Sequence, residues 1–247
     1  MQKGLLIFIL ILLPLNCYSQ VYKNWFIHPS QINCSEISVG YAMHSYFKDT
    51  TAIKTAFNNA CRRFAENEQV RISGGQAFWA TGIGTFDMGN NLKETYDTSL
   101  VKSYEHTFKI IDTLREGNFV AVLSGNKGCN PQSKVFLKTR IEISKNPNWI
   151  NNPPESKQYY YAVGIAPRYY YEKSSWEQAE KSARIQLASS ISIYVEVLNR
   201  MQSFSDEATE NSIENQDIAV TLQNVQIVSR WVDKSDDFYY VLMRMRK

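Results

Sequence analysis

The feature that most constrains this fold is an internal repeat in the sequence. Six residues of the first half recur in the second half at a constant offset of 124 residues. The pairs are Trp25 and Trp149, Pro29 and Pro153, Val39 and Val163, Gly40 and Gly164, Ala42 and Ala166, and Tyr46 and Tyr170. Identical residues in an identical register predict two copies of one structural unit.

The repeat continues after the register shifts by one residue. Three alanines of the first half then fall on three alanines of the second half: Ala56, Ala60 and Ala65 on Ala179, Ala183 and Ala188. An apolar strand closes each unit, at residues 119–123 and 238–242. Linker residues at 144–148 mark the predicted boundary. The first, diverged module is therefore predicted over residues 20–144 and the second over residues 145–247.

The second copy has the clearer pattern of secondary structure. Aromatic and β-branched residues at 159–166 predict a buried strand. Ser174 and Glu177 have the spacing of a capping box, which predicts that a helix begins there. Gly164, like Gly40, is interpreted as a strand position that a helix approaches closely. One face of the predicted helix is apolar: Trp176, Ala179, Ala183, Leu187 and Ile191.

Residues 191–198 alternate between apolar and polar, which predicts a second strand. The polar residues 201–216 predict a loop or a weak exposed helix. Two apolar runs, at 225–231 and 238–243, predict a hairpin. Each unit is thus strand, helix, strand, variable segment and hairpin. The predicted fold class is α+β, with two tandem modules that each pack a helix on a mostly antiparallel sheet.

The first 19 residues predict an export signal. Lys3 is followed by an apolar run from Gly4 to Leu15, which is shorter than the about 20 residues that span a bilayer. Cleavage after Ser19 would release a chain that begins at Gln20, whereas lipidation of Cys17 is the alternative. No transmembrane helix is predicted in the mature chain. We expect it in the periplasm, at the outer membrane or secreted.

Composition does not indicate a nucleic-acid partner, because the formal net charge is only +3. Three cysteines remain after the signal: Cys34, Cys61 and Cys129. Their spacing matches no zinc pattern. Cys34 and Cys129 lie in turn-like sequence and could form a disulfide with Cys61 buried in a helix, and three unpaired thiols are the alternative.

No residue set in the mature chain predicts catalysis, a cofactor or a metal. The three histidines, His28, His44 and His106, are too far apart in sequence to form a ligand motif. The glycine-containing segments match neither the dinucleotide-binding pattern nor the phosphate-binding loop.

Tyrosine is the unusual feature, with 15 in the chain and two triplets at 159–161 and 169–171. Alternation along a strand sends some of these rings outward, and exposed aromatic residues are enriched at interfaces. The predicted interaction surface comprises Tyr159, Arg168, Tyr169, Tyr170 and Tyr171. The alternative is that the rings cover the sheet edge within the domain.

The second copy resembles the LPP20 lipoprotein family, which includes flagellar assembly proteins. The resemblance rests on five features: Trp149 with Pro153, the strand 161–166, the alanine-rich helix, residues 228–231 and residues 238–242. The first copy resembles a diverged member that lacks an equivalent of Trp231. The resemblance implies a small α+β envelope module, often anchored to the outer membrane and assembled into rings in flagellar members. It implies no catalytic residues.

These observations predict a non-enzymatic exported envelope protein with a structural, assembly or interaction role. Its expected partners are other envelope proteins or further copies of itself. The first alternative is a module that binds glycan, including peptidoglycan, and the second is an exported hydrolase.

Overall fold

The computed structural model describes residues 21–44, 49–81, 84–140, 146–203, 212–233 and 236–247. The helices are α1 (Asn24–Ile27), α2 (Asp49–Glu68), α3 (Ser99–Thr107) and α4 (Glu172–Ser203). The strands are β1 (Val21–Lys23), β2 (Ile37–Met43), β3 (Gln69–Thr81), β4 (Gly84–Asn90), β5 (Lys93–Thr95), β6 (Phe108–Glu116), β7 (Phe119–Asn126), β8 (Lys138–Arg140), β9 (Tyr159–Pro167), β10 (Ser212–Gln223), β11 (Gln226–Asp233) and β12 (Phe238–Arg246).

Two antiparallel three-stranded sheets form the frame of the fold. The first has the strand order β2-β7-β6, and the second has the order β9-β12-β11. In both sheets, the strand before a long helix pairs with the last strand of a hairpin. Helix α2 packs on the first sheet and α4 on the second. The predicted α+β class is therefore confirmed, and so is the predicted hairpin of β11 and β12.

Each long helix lies unusually close to its sheet at a glycine. A Cβ atom added to Gly164 would lie 2.0 Å from the carbonyl oxygen of Ala179. One added to Gly40 would lie 2.1 Å from the carbonyl oxygen of Ala56 and 2.1 Å from the amide nitrogen of Ala60. Both obstacles are backbone atoms, which cannot turn away as a side chain can. The predicted close approach at both glycines is confirmed.

A shared aromatic core connects the two sheets. The ring of Trp176 on α4 lies 4.8 Å from that of Tyr239 on β12 and 5.4 Å from that of Phe26 on α1. Phe26 in turn lies 5.6 Å from Phe119 on β7. The N-terminal residues 21–27 thus fill the space between the first sheet and the helix of the second sheet. Such ring pairs add to the free energy gained from burial alone.

A second connection between the halves is the pairing of β3 with β10. Their twelve residue pairs run antiparallel from Gln69 opposite Gln223 to Ala80 opposite Ser212. Because β3 follows α2 and β10 follows α4, one ladder joins the strands that leave the two helices. The halves therefore share both a core and a sheet.

The predicted strand at 191–198 is wrong, because α4 continues to Ser203. No glycine or proline follows Pro167 to end the helix. Leu187, Ala188 and Ile191 also continue the apolar stripe at helical spacing. The predicted loop or weak helix at 201–216 is wrong as well, since α4 ends and β10 begins within it, with residues 204–211 outside the described part.

The predicted capping box at Ser174 is also wrong. Helix α4 begins at Glu172, and Ser174 lies inside its first turn. The side chain of Glu177 is turned towards cations, with an oxygen 3.3 Å from Arg63 and another 3.3 Å from Lys173. The apolar stripe itself is confirmed, because Trp176 and the two alanines that follow it in the stripe are fully buried.

Cys34 and Cys129 form a disulfide, which decides between the two alternatives. It joins the segment before β2 to the segment after β7, so it closes the first sheet across its paired strands. Cys61 is a buried thiol in α2, and burial raises its pKa to about 12.

The predicted export signal and Cys17 lie outside the described residues. Within the described ranges, no helix is long and apolar enough to cross a membrane.

The close helix contact predicts that Gly164→Ala lowers the free energy of unfolding by about 3 kcal/mol. The reason is that its Cβ would overlap the backbone of Ala179. Gly40→Ala should be similarly damaging. The matched control is Gly128→Ala, where the nearest atom is a flexible Asn126 side chain at 3.6 Å. Urea unfolding measures all three variants. Equal stabilities for Gly164→Ala and Gly128→Ala would contradict the close contact.

Candidate interaction surface and buried charge cluster

The short connection between β9 and α4 presents three consecutive tyrosines. Its backbone is held at two points. The amide of Arg168 donates to the carbonyl oxygen of Asp237 at 2.7 Å, and the amide of Tyr169 donates to Oγ of Ser175 at 2.7 Å. The Arg168 guanidinium also donates to the Asp237 carboxylate at 3.2 Å. The connection is therefore anchored to the hairpin loop and to the first turn of α4.

The rings of this anchored connection face solvent. Tyr170 is 93% exposed, while Tyr169 and Tyr171 are 43% and 45% exposed. The rings of Tyr170 and Tyr171 meet edge to face at 4.8 Å. Apolar rings held in water on an ordered segment are typical of binding sites, because they bury much area at little cost in conformational entropy.

The neighbouring outer face of the second sheet extends this surface. Ile165 is paired with Tyr240, and Phe238 is paired with Pro167. Ile165 lies on the face opposite Gly164 and hence opposite α4, and it is 47% exposed. Phe238 is 37% exposed. We define the aromatic surface as five residues: Ile165, Tyr169, Tyr170, Tyr171 and Phe238. Sequence reasoning missed Ile165 and Phe238, although alternation along β9 and β12 could have indicated them.

Tyr159 does not join this surface. It lies at the other end of β9, about 26 Å from Pro167 at the usual strand rise. Its ring lies 6.2 Å from that of Tyr161, and the guanidinium of Arg244 covers it at 4.7 Å. The structure therefore brings together four of the five predicted residues, Arg168 and the triplet, and separates the fifth.

A buried charge cluster surrounds Glu180 on α4, away from the exposed tyrosine connection. Tyr41 donates to Oε1 of Glu180 at 2.9 Å, and Arg230 donates to the same oxygen at 2.9 Å. Arg63 forms an ion pair with the second carboxylate oxygen. Glu180 is 1% exposed, Arg63 3% and Arg230 0%. Three elements besides α4 thus converge on one carboxylate: α2, β2 and β11.

The arginines make further contacts that fix their planes. The Arg63 guanidinium lies 3.9 Å from the centre of the Tyr41 ring. Arg230 also donates to the carbonyl oxygen of Phe26 at 2.6 Å. A neighbouring arginine on α4, Arg184, makes a two-pronged contact with Glu94 at 2.9 and 3.0 Å. Such forked pairs are geometrically selective.

The arginines keep Glu180 ionised. Burial by itself would raise the pKa of its carboxyl group, but Arg63, Arg230 and Arg184 outweigh burial and hold the pKa below its ordinary value. The hydroxyl of Tyr41 has a pKa raised well above its ordinary value, mainly by burial, so it remains a donor. Sequence reasoning placed Glu180 outside the apolar stripe. It could not show that a second layer covers that side of the helix.

One of the three histidines, His28, contacts a hydroxyl group. Nδ1 of His28 lies 3.0 Å from Oγ of Ser229. Burial lowers the pKa of His28, and within the described ranges no carboxylate is hydrogen-bonded to it. Ser229 is itself buried in β11. The pair therefore lacks both an orienting acid and an exposed nucleophile. Within the same ranges, no group of three or more His, Cys, Asp or Glu side chains is arranged to hold a metal ion.

Comparison with known proteins finds a family whose model matches the part of the chain that carries the aromatic surface. The family model described as LPP20 lipoprotein matches residues 147–245. The predicted resemblance to the LPP20 lipoprotein family is confirmed. No curated protein and no solved structure matches the chain.

The LPP20 match supplies only part of the charge cluster. Glu180, Arg184 and Arg230 lie inside the matched residues, whereas Tyr41 and Arg63 lie outside them. The cluster therefore joins the LPP20 part to the preceding residues.

Glu180→Gln is expected to lower the free energy of unfolding by about 3–5 kcal/mol, because it leaves Arg63 and Arg230 buried without their counter-charge. Glu177→Gln is the matched control on the same helix. Its side chain is 29% exposed, so the loss should be about 1 kcal/mol or less. Chemical denaturation compares the two. Similar losses would contradict the central role of Glu180.

The cluster also predicts a pH dependence. Because the folded-state pKa of Glu180 lies below its ordinary value of 4.5, its stabilising effect is complete above that pH and is lost as the pH falls through the folded-state pKa. The stability difference between wild type and Glu180→Gln should therefore narrow on acidification below pH 4.5. Unfolding measured across pH 7 to 3 tests this.

Proposed function

We propose that this chain is a non-enzymatic envelope protein that assembles with another envelope protein, or with further copies of itself, through its aromatic surface. The observation that carries the proposal is Tyr170, which is almost fully exposed on a connection held by backbone hydrogen bonds. Because the backbone that carries this ring is already ordered, a partner that covers the ring has little further backbone freedom to remove.

The same proposal includes where the protein acts. The export signal at residues 1–19 and the LPP20 match both favour the bacterial envelope, at the periplasm or the outer membrane. The two possible processing routes give two forms of the protein. Cleavage after Ser19 gives a free mature chain from Gln20, whereas lipidation of Cys17 gives a chain anchored by a lipid. Mass spectrometry of the exported protein distinguishes them.

We further propose that the chain is two copies of one unit, residues 20–144 and 145–247. Three structural parallels support this. The strand orders correspond, and both glycines meet a helix at the same alanine spacing. Each hairpin also carries a bulge, which lies just before the pair Asp112–Leu123 in the first and just before the pair Ser229–Leu242 in the second. Across the first sheet, Gly40, Val122 and Thr113 are paired side by side in one row. Across the second sheet, Gly164, Val241 and Arg230 form the corresponding row.

Because the units share a core, we expect residues 20–144 and 145–247 to need each other. Expressed separately, each half should lack a cooperative thermal transition. When mixed or coexpressed, the two halves should form a one-to-one complex. In that complex Trp176 again packs on Phe26. Glu180 again binds Tyr41 and Arg63. Calorimetry and gel filtration measure both results. Arg63→Ala in the first half should weaken the complex, and a stable isolated second half would argue against a shared core.

The assembly proposal is tested with the mature chain, residues 20–247, in which Tyr169, Tyr170 and Tyr171 are all changed to Ala. We expect a smaller mass by light scattering and fewer crosslinks to envelope proteins. Leu137→Ala is the matched control, because Leu137 is 61% exposed but lies outside the aromatic surface. A wild-type chain that is monomeric and captures no envelope protein would contradict the proposal.

A second candidate function is glycan binding, and one observation favours it. Arg168 is 65% exposed beside the exposed Tyr170, which combines a charged donor with an aromatic face on which a sugar ring could stack. Sedimentation with purified peptidoglycan, using the same triple variant, separates this function from protein assembly. Binding that the triple variant retains would exclude the aromatic surface as the glycan site.

A further inference from the structure

We propose that the cavity between α2 and α4 binds an oxyanion, that is, the carboxylate or phosphate group of a ligand. The cavity has a volume of about 360 Å³. Residues of α2, α4 and β5 line it, and Tyr169 also contributes to its wall. It lies next to the buried charge cluster. The inference does not rest on assembly through the aromatic surface, because the cavity has its own walls and its own charges.

The cavity is rich in hydrogen-bond donors. Four cationic residues line it: Arg62, Arg63, Lys181 and Arg184. Within the described part of the chain, Nε of Arg62, Nε of Arg63 and Nη1 of Arg184 are buried and have no hydrogen-bond acceptor. Arg63 and Arg184 are themselves 3% and 4% exposed. A buried donor without an acceptor is costly, and each of these three nitrogens lacks one.

The carboxylates around the cavity do not supply that acceptor. Three line it, so its formal charge is +1. Glu94 is engaged by the fork of Arg184, and Glu177 accepts from Arg63 and Lys173. Glu66 lies 3.6 Å from both Arg62 and Arg184, beyond hydrogen-bond distance. Lys181 makes no ion pair with any described residue. The site therefore has an excess of cationic donors, which favours an anion over a metal ion.

The guanidinium groups of the cavity favour a particular kind of anion, as well as a negative charge. Their planar forks match the oxygens of carboxylates and phosphates, whereas a halide would use only one donor at a time. Arg62 is the most exposed arginine of the set, with a side chain that is 40% exposed and two ion pairs that are both 3.6 Å long. It can turn towards an entering oxyanion with little loss of existing contacts.

Two envelope materials carry this chemistry: acidic sugars, through a carboxylate, and phospholipids, through a phosphate. Isothermal titration calorimetry of the mature chain with inorganic phosphate, at constant ionic strength, tests the shared chemistry first. We expect saturable binding that weakens at least tenfold in Arg62→Gln combined with Lys181→Gln. The matched control is Lys54→Gln, an exposed cation on α2 away from the cavity, which should bind phosphate as wild type does.

Competition then identifies the source. Displacement of phosphate by N-acetylmuramic acid, but not by N-acetylglucosamine, assigns the site to an acidic sugar. Displacement by phosphatidylglycerol vesicles, but not by phosphatidylcholine vesicles, whose phosphate charge is balanced by choline, assigns it to the phosphate of an anionic lipid. If the double variant does not fold, Lys181→Gln alone, at a half-buried position, replaces it. The inference is overturned if wild type shows no saturable phosphate binding, or if the cavity variants bind phosphate as tightly as Lys54→Gln.

Discussion

The ion pairs of Glu180 with Arg63 and Arg230 are the interaction on which the rest of this structure depends. A carboxylate at 1% exposure is tolerated only with its counter-charges in place, because an unpaired charge in the interior is strongly destabilising. Arg63 comes from α2 and Arg230 from β11, so the requirement fixes three elements at once. Tyr41 adds β2 to the same carboxylate. The cluster therefore sets how the LPP20 part meets the residues before it.

The close approach of helix and sheet makes this cluster geometrically possible. Ala179, which contacts Gly164, immediately precedes Glu180, and Arg230 lies in the same row of the sheet as Gly164, with Val241 between them. Any side chain at residue 164 would lift α4 and its glutamate away from the arginine. In the first half, the corresponding row ends in Thr113, which has no charge to pair. The helix approach there includes a polar contact of another kind, in which the Asn59 side chain of α2 donates to the carbonyl oxygen of Tyr41 on β2 at 2.9 Å.

Helix α4 also connects the two proposed binding regions, the aromatic surface and the cavity. Its first turn holds the tyrosine connection through Ser175, and its next turns carry Lys181 and Arg184 into the cavity. Tyr169 belongs to both the aromatic surface and the cavity wall. The charged interior thus fixes the helix that positions both regions, although neither uses Glu180 itself. A rigid interior below exposed rings reduces the conformational entropy that binding would cost.

Local periodicity determined much of this protein. The sequence alone was sufficient for the α+β class, the hairpin of β11 and β12, the buried stripe on α4 and the role of both glycines, because each depends on side-chain spacing within one element. Sequence reasoning failed where the structure depends on residues that are far apart in the chain. Residues 191–198 alternate like a strand, but β10 forms further on because it pairs with β3. Burial of Glu180 depends on Arg63, which is 117 residues away, and the partner of Cys34 is 95 residues away. Only tertiary structure brings such groups together, because a charge or a thiol has no periodic signature that names its partner.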